Sequence, residues 1–271
     1  MPSAFCRRRA TDLLQPVVTH ITADWDPHKA ASRSDREAAW GALRELLGSE
    51  HLLTHPEAIA PYTQSTLARA TIPLAVARPA SADEVAGITR VAERFHLPLY
   101  PISRGKNWGY GDACAVTDGQ VIVDLSRMNA IIEVDAQMAY AVIEPGVTQG
   151  QLSEYLREHG IPLWLDCTGA GPEASIVGNV LERGFGHTPY GNRFQNICSM
   201  QVVLSNGRVL ETGFGHFSRA KTKNLFPTGL GPVLHGLFTQ SNLGIVTRLG
   251  IWMMPTPECF EAFFCFVEQH E

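Results

Sequence analysis

Several features that mark specialised classes of protein are missing from this chain of 271 residues. Its 22 Lys and Arg residues against 27 Asp and Glu give a net charge of −5, so there is no excess of positive charge to hold a nucleic acid backbone. None of its six cysteines forms a CxxC pair, which argues against a zinc site or a disulfide framework. We interpret the cysteines as reduced packing residues.

No segment predicts export or a membrane anchor. Arg7, Arg8 and Arg9 are followed by residues that lack the apolar core and cleavage site of a signal peptide. The uncharged run 224–247 is long enough to span a membrane, but it contains two prolines and four glycines. We expect a cytoplasmic protein that binds neither membranes nor nucleic acid, and no metal site is predicted.

Glycine is scarce in the first hundred residues. Of the 24 glycines, 21 lie between Gly105 and Gly250. Glycine at this density indicates tight turns or backbone that approaches a ligand closely. We therefore expect the functional residues after residue 100, and we interpret residues 1–67 as an N-terminal extension with a helix at Ser32 to Glu45.

The pattern of apolar residues predicts a mixed α+β fold. A strand, a helix opened by Ser81 and Glu84, and a second strand follow one another closely, which is typical of a βαβ unit with a small parallel sheet. Asn206-Gly207 between apolar runs indicates a hairpin, and Thr148 with Gln151 indicates a further helix start. The remaining predicted strands are 72–79, 97–103, 121–125, 131–134, 139–144, 244–255 and 260–267.

Three glycine-containing clusters carry polar side chains. The first, SRGKNWGYGDA (103–113), follows a predicted strand and offers backbone N–H groups and two cations to an anion. The second is TGAGPEASIVGNVLERGFGHTPYGNRF (168–194), and the third is LFTQSNLGIVT (237–247). None fits GxxxxGK[ST] or GxGxxG, which argues against an ATPase P-loop and against a nicotinamide-binding Rossmann unit. Each cluster taken singly is also compatible with a structural turn.

Taken in order, the clusters resemble the flavin-dependent oxidoreductases of the vanillyl-alcohol oxidase and para-cresol methylhydroxylase type. The resemblance extends over about residues 70–257 and includes PISRGKNWGYGDA, VIEPGVT, LWLD, SIVGNVLERGFGHTPYGNRF and LFTQSNLGIVTRLGIWMMP. It implies an FAD-binding domain at 68–257 with two lobes, a small parallel or mixed βαβ lobe and a mixed-sheet lobe, and FAD held between them. Residues 258–271 are then expected to begin a truncated cap (substrate) domain.

The resemblance also implies which residues contact FAD. The loop Pro101 to Gly111 is expected to wrap the pyrophosphate with its amides, where a Cβ at Gly105 or Gly109 would block close approach. The full predicted set is Pro101, Ser103, Arg104, Gly105, Lys106, Asn107, Trp108, Gly109, Tyr110, Pro145, Gly146, Val147, Thr168, Gly169, Ser175, Gly178, Asn179, Gly184, Gly191, Gly244, Ile245 and Val246.

The sequence departs from this family at two places near the flavin. The resemblance places Ala170 at or near the position of the acidic residue of the phenol-oxidising members, so that acid is absent, and Glu173 is either a displaced substitute or an exposed loop carboxylate. No histidine occurs in the pyrophosphate loop, so FAD is not expected to be covalently linked through this domain. No catalytic residue is assigned.

Two functions remain open. The first is an oxidase or dehydrogenase that transfers hydride from a substrate C–H, of a para-substituted phenol or another alcohol, to flavin N5. Its acceptor is oxygen or an electron-carrier protein, and a homodimer is compatible with it. The second is a catalytically incompetent FAD-binding fragment, or a subunit that needs a partner chain.

Overall fold

The computed structural model describes residues 32–66, 68–109 and 111–266. The helices are α1 (Arg33–Leu47), α2 (Pro56–Ile59), α3 (Ala82–Phe95), α4 (Gln149–Glu158) and α5 (Ile176–Leu181). The strands are β1 (Leu52–Leu53), β2 (Ala75–Ala77), β3 (Leu99–Ile102), β4 (Val121–Asp124), β5 (Ile131–Asp135), β6 (Tyr140–Ile143), β7 (Leu163–Trp164), β8 (Ile197–Leu204), β9 (Val209–Glu211), β10 (Gly244–Trp252) and β11 (Met254–Pro255).

Hydroxyl side chains begin the principal helices at the predicted positions. Ser32, Ser81 and Thr148 each accept a hydrogen bond from the backbone amide three residues ahead. This pairing satisfies one of the amides that the first helical turn leaves without a partner. Gly160, with φ of +60°, follows the last turn of α4. The predicted helix starts are confirmed.

The first sheet has the strand order β1-β2-β4-β3. Strands β2 and β3 both run parallel to β4, which lies between them, and β1 is antiparallel to β2. The predicted βαβ unit is therefore present with β4 inserted between its two strands. Helices α1 and α3 pack together against this sheet and share its core with Leu43, Val85, Ile88 and Val123.

The second sheet has the order β5-β6-β10-β8-β9, and every pairing in it is antiparallel. The resemblance implied a mixed sheet here. Two hairpins, β5-β6 and β8-β9, supply four of the strands, and a short turn between neighbouring strands requires them to be antiparallel. Gly207, with φ of +75°, occupies the predicted turn of the second hairpin. Helices α4 and α5 bury Leu152, Ile176 and Val177 in the core of this lobe.

The strand predicted at 260–267 is wrong over its described residues. Residues 260–266 have no regular structure, and Phe263, Phe264 and Phe266 are 86%, 91% and 95% exposed. An apolar run forms a strand only where another strand supplies hydrogen bonds and a packing face, and none of the described residues pairs with it. Val267, the last residue of that prediction, lies outside the described residues.

Among the five cysteines that the structure describes, the predicted packing role holds for two. Cys114 and Cys198 are buried, and burial raises the pKa of the Cys198 thiol to about 12. Cys167, Cys259 and Cys265 are exposed because they lie in loops outside the two sheets. Cys6 lies outside the described residues. No described helix is long and apolar enough to cross a membrane.

Candidate functional site: the loops around helix α5

Helix α5 brings the three glycine-containing clusters together. Near its beginning, a Cβ on Gly178 would stand 3.2 Å from the Oγ of Ser103, so the first cluster lies directly against the helix. At its end, the amide of Gln240 donates to the carbonyl of Leu181 at 2.9 Å. The helix itself belongs to the second cluster. Residues separated by more than 130 positions in the sequence thus meet at one six-residue helix.

Ser175 fixes the position of α5. Its hydroxyl donates to the carbonyl of Pro145 at 2.6 Å and accepts from the amide of Gly178 at 2.9 Å. One residue on, the amide of Ile176 donates to the carbonyl of Val147 at 3.2 Å. The predicted segment Pro145 to Val147 therefore lies beside the start of α5. Its residues are buried and its two amides already donate to carbonyls of the protein, so contact of this segment with FAD remains a prediction.

Gly146 in that segment is required by its protein neighbours. A Cβ there would stand 2.7 Å from the carbonyl oxygens of both Ser126 and Met128. Backbone oxygens cannot move aside as the end of a flexible side chain can, so a side chain at this position would force the backbone to shift. This glycine is explained by packing, and a contact with FAD remains a prediction.

The two glycines singled out in the first cluster have different reasons for being glycine. Gly105 has φ of +62°, and its Cβ would stand 2.7 Å from that of Ala113, so the loop itself requires a glycine there. Gly109 is exposed and has nothing within 4 Å of its Cβ position. The amides of Gly105, Lys106 and Gly109 have no hydrogen-bond acceptor among the described residues. Unpaired amides beside open space fit an anionic group such as a pyrophosphate.

The first loop is fixed at both of its ends. The hydroxyl of Thr66 donates to the carbonyl of Trp108 at 2.6 Å, and its amide donates to Asp112 at 2.8 Å. Arg104 forms an ion pair with Glu173 at 3.4 Å. The Glu173 side chain is 68% exposed, which is the arrangement of a loop carboxylate on the surface. Tyr110, also predicted to contact FAD, lies outside the described residues.

A buried ion pair that the sequence analysis missed joins Arg193, in the second cluster, to Asp166, which precedes that cluster. Arg193 and Asp166 are 1% and 5% exposed, and Nε of Arg193 lies 3.1 Å from Oδ2 of Asp166. Arg193 also donates to Oδ1 of Asn179 at 2.8 Å, and Asp166 accepts from the hydroxyl of Thr188 at 2.5 Å. Burial lowers the pKa of the Arg193 guanidinium, and the Asp166 charge opposes that shift. An Arg within a run of glycines and an Asp ending an apolar strand were the available signals.

Close packing explains three glycines of the second cluster, of which Gly184 and Gly191 were predicted to contact FAD. A Cβ on Gly184 would overlap the side chain of Asn179, and one on Gly186 would overlap the carboxylate of Asp166. A Cβ on Gly191 would overlap the carbonyl oxygen of Gly186. These three positions are glycine because protein atoms fill the space. Contact of Gly184 and Gly191 with FAD remains a prediction.

The other predicted residues differ in what they present to the groove. Thr168 is tied to the start of α4 because its amide donates to Oε1 of Gln149 at 2.8 Å, while Gly169 has open space around its Cβ position. Ile245 and Val246 are 6% and 3% exposed, and they pack in the cores of the two lobes. At these two positions of β10, therefore, the side chains are not available to a cofactor. Pro101, Lys106 and Trp108 are exposed, and Asn107 is partly buried.

A carboxyl group at the end of α5 was also missed. Burial raises the pKa of the Glu182 carboxyl above its ordinary value. Burial first, and the Glu182 charge second, raise the pKa of the Tyr100 phenol in β3. Glu182 is thus a partly desolvated acid on the helix where the clusters meet.

Sequence comparison identifies the class of domain. The model of a family described as an FAD binding domain matches residues 73–213. The chain is 46% identical over 228 residues to the 1′-carboxy-chondrochloren decarboxylase of Chondromyces crocatus, covering 84% of this chain and 42% of that protein. It is 39% identical over 238 residues to the 4-cresol dehydrogenase [hydroxylating] flavoprotein subunit of Pseudomonas putida, covering 87% and 46%.

Solved structures agree with the sequence comparison. The crystal structure of p-cresol methylhydroxylase with substrate bound superposes with a TM-score of 0.84 at 39% identity, covering 85% of this chain and 45% of that one. The 4-ethylphenol oxidase from Gulosibacter chungangensis, in its isoeugenol complex, gives 0.82 at 36% identity with the same coverage. The chain spans less than half the length of these relatives. It belongs to the family of FAD-binding domains of the para-cresol methylhydroxylase type, α+β in fold, with FAD as the cofactor.

Proposed function

We propose that this chain is the FAD-binding part of a flavoprotein oxidoreductase that removes hydride from a C–H bond of a para-substituted phenol or a related alcohol. The observation that carries the proposal is the meeting of all three glycine-containing clusters at α5. Bound FAD supplies the hydride acceptor at flavin N5. The task of this chain is to bind and orient that cofactor.

The predicted residues divide this task among them. The amides of Gly105, Lys106 and Gly109 hold the pyrophosphate, with the charges of Lys106 and Arg104 nearby. The backbone of Pro145 to Val147 and the residues Ser175 to Asn179 line the next part of the groove. The N-terminal half of β10 completes it with backbone, because its side chains are committed to the two cores.

The electron acceptor and the partner are inferred from the relatives. One of them is named as a flavoprotein subunit, which supports an electron-carrier protein as acceptor, with oxygen as the alternative. The competing proposal is FAD binding without catalysis, by a truncated fragment or by a subunit that a partner chain completes. A homodimer is compatible with either proposal.

A second reaction is favoured by two observations. The relative at 46% identity is named as a decarboxylase. In addition, the resemblance places Ala170 at or near the position where the phenol-oxidising members carry an acid. We therefore also propose a phenolic substrate whose C–C bond to a carboxylate breaks: CO₂ would leave, bound FAD would accept the electron pair of that bond, and the phenol proton would pass to solvent.

Purification of the chain followed by flavin analysis tests the proposal. We expect a visible flavin spectrum and FAD in the supernatant after denaturation, or reconstitution when FAD is added to apoprotein. A chain that stays apo in excess FAD contradicts the proposal.

Anaerobic mixing of the FAD-loaded chain with substrate then separates the reactions. Bleaching of the visible band by 4-ethylphenol supports C–H oxidation, whereas bleaching by 4-hydroxyphenylacetate with release of CO₂ supports decarboxylation. Bound FAD that neither compound reduces supports the non-catalytic alternative.

A further inference from the structure

We propose that Arg193 is the positioning residue of the cofactor groove: its buried guanidinium sets the relative placement of the segments that line FAD. The inference rests on the proposed function of the groove. Nothing in the sequence pattern assigned a role to this residue. The support comes from what its side chain contacts.

The guanidinium joins segments from four parts of the chain. Its Nη1 donates to Asn179 in α5 at 2.8 Å, and its Nη2 donates to the backbone carbonyl of Asp166 and to Oε1 of Gln149 at 3.4 Å. Arg193 itself follows the glycine segment 184–191. Every segment it joins contains or adjoins residues predicted to contact FAD.

Two of its partners extend the connection further into the groove. Gln149 accepts from the amide of Thr168 and donates to the carbonyl of Gly171 at 2.8 Å each, so it holds the loop that follows Asp166. Asp166 accepts from the hydroxyl of Thr188. The loops 166–171 and 184–191 are therefore linked to α5 through one cation.

The chemistry of arginine suits this arrangement. A planar guanidinium offers five donors in fixed directions, whereas an ammonium group is a compact charge on a flexible stem. Nε lies 3.1 Å from Oδ2 of Asp166 without the alignment of a hydrogen bond, so the ring of contacts to Asn179, Gln149 and the Asp166 carbonyl sets the orientation of the group. Removal of the cation leaves the Asp166 charge buried and unpaired, which is strongly unfavourable.

The glycines make the groove sensitive to this placement. Gly184 and Gly186 pack against Asn179 and Asp166 without room for a Cβ. A shift of either network residue therefore moves the backbone beside it. We infer that Arg193 acts on FAD through these segments, without a contact of its own being required.

The test compares Arg193→Met and Arg193→Lys with Leu43→Ala. Leu43 is 1% exposed in the core between α1 and α3, so its truncation lowers stability away from the groove. The FAD dissociation constant is measured by flavin fluorescence titration of each apoprotein. Thermal unfolding of the apoproteins and amide hydrogen exchange of segments 166–171 and 184–191 are measured in parallel.

We expect Arg193→Met to weaken FAD binding by at least about tenfold and to speed exchange in both segments. Arg193→Lys is expected to recover part of the affinity, and Leu43→Ala to retain wild-type affinity despite its lower melting temperature. Wild-type affinity in both Arg193 variants overturns the inference, as does an equal loss in Leu43→Ala. A wild-type protein that does not bind FAD contradicts the proposed function itself, and unchanged exchange in the two segments contradicts the linkage independently of FAD.

Discussion

Ser103 lies against Gly178, with the Ser103 Oγ 3.2 Å and its Cβ 3.3 Å from the position that a Cβ on Gly178 would occupy. The pair joins the loop after β3 to helix α5. Here the first cluster packs against a glycine of the second cluster. A substitution at Gly178 can therefore test FAD binding separately from folding stability.

Gly178→Ala is expected to weaken FAD binding several-fold while leaving thermal stability equal or higher. An alanine in place of glycine inside a helix is favourable by roughly 0.5–1 kcal/mol, but here it presses on the loop that holds the pyrophosphate. Flavin titration and thermal unfolding measure the two effects. The double variant Ser103→Gly with Gly178→Ala relieves the contact and should recover affinity, and no recovery would contradict this steric explanation.

Gly109→Ala and Gly105→Ala form a matched pair in one loop. At Gly109 the added methyl group meets no protein atom within 4 Å, so we expect unfolding stability within about 0.5 kcal/mol of wild type and weaker FAD binding. At Gly105 the positive φ and the Ala113 contact predict a loss of about 1–3 kcal/mol in the apoprotein. Chemical denaturation and flavin titration test both. Unchanged FAD affinity in Gly109→Ala would contradict the proposed approach of the pyrophosphate.

His235 predicts a loss of stability on acidification. Burial lowers the pKa of its imidazole from 6.5 to about 4, and its Nε2 lies 2.9 Å from the Thr212 hydroxyl. Above pH 6.5 the imidazole is neutral in both the folded and the unfolded state. As the pH falls from 6.5 toward 4, the unfolded state binds the proton first, so the free energy of unfolding falls by at most about 3 kcal/mol.

Denaturation midpoints between pH 4 and 7.5 measure this effect. His235→Gln should flatten the dependence, whereas His55→Gln, at an exposed position, should preserve it. An identical pH dependence in His235→Gln and wild type would show that other groups cause it.

The exposed phenylalanines of residues 260–266 make a further prediction. Joint replacement of Phe263, Phe264 and Phe266 by Ser should leave the melting temperature unchanged, because their side chains are almost fully exposed. It should also reduce aggregation and binding of a hydrophobic dye. Phe238→Ala, at a buried position in the second core, should cost about 3–5 kcal/mol. A large fall in melting temperature in the triple variant would show that these residues pack against the domain.

Local rules predicted most of the helices and strands. The caps at Ser81 and Thr148 and the turn at Gly207 depend on hydrogen bonds and backbone angles within a few residues, and the structure confirms them. The strand predicted at 260–267 is absent from residues 260–266, because an apolar run does not reveal whether a partner strand lies beside it. The prediction that the second sheet is mixed was wrong, because the direction of strand pairing depends on which strands become neighbours.

The groove was predicted only in part. The glycine-containing clusters were found because glycine is visible in the sequence, but glycine alone does not reveal what fills the missing Cβ. Gly109 faces open space and Gly105 faces Ala113, and both looked alike before the structure was known. Glu182 was overlooked because the raised pKa of its carboxyl group arises from burial, and burial cannot be predicted from the neighbouring residues in the sequence.

The sequence by itself determined the family, the cofactor and the positions of the main elements, because these depend on motifs and on contacts between near neighbours in the chain. Only the tertiary structure decided that α5 is the meeting point of the clusters and that Arg193 pairs with Asp166. Those contacts join residues 27 or more positions apart. Their energy depends on burial and on the direction of each hydrogen bond, and both quantities exist only after the two sheets have packed.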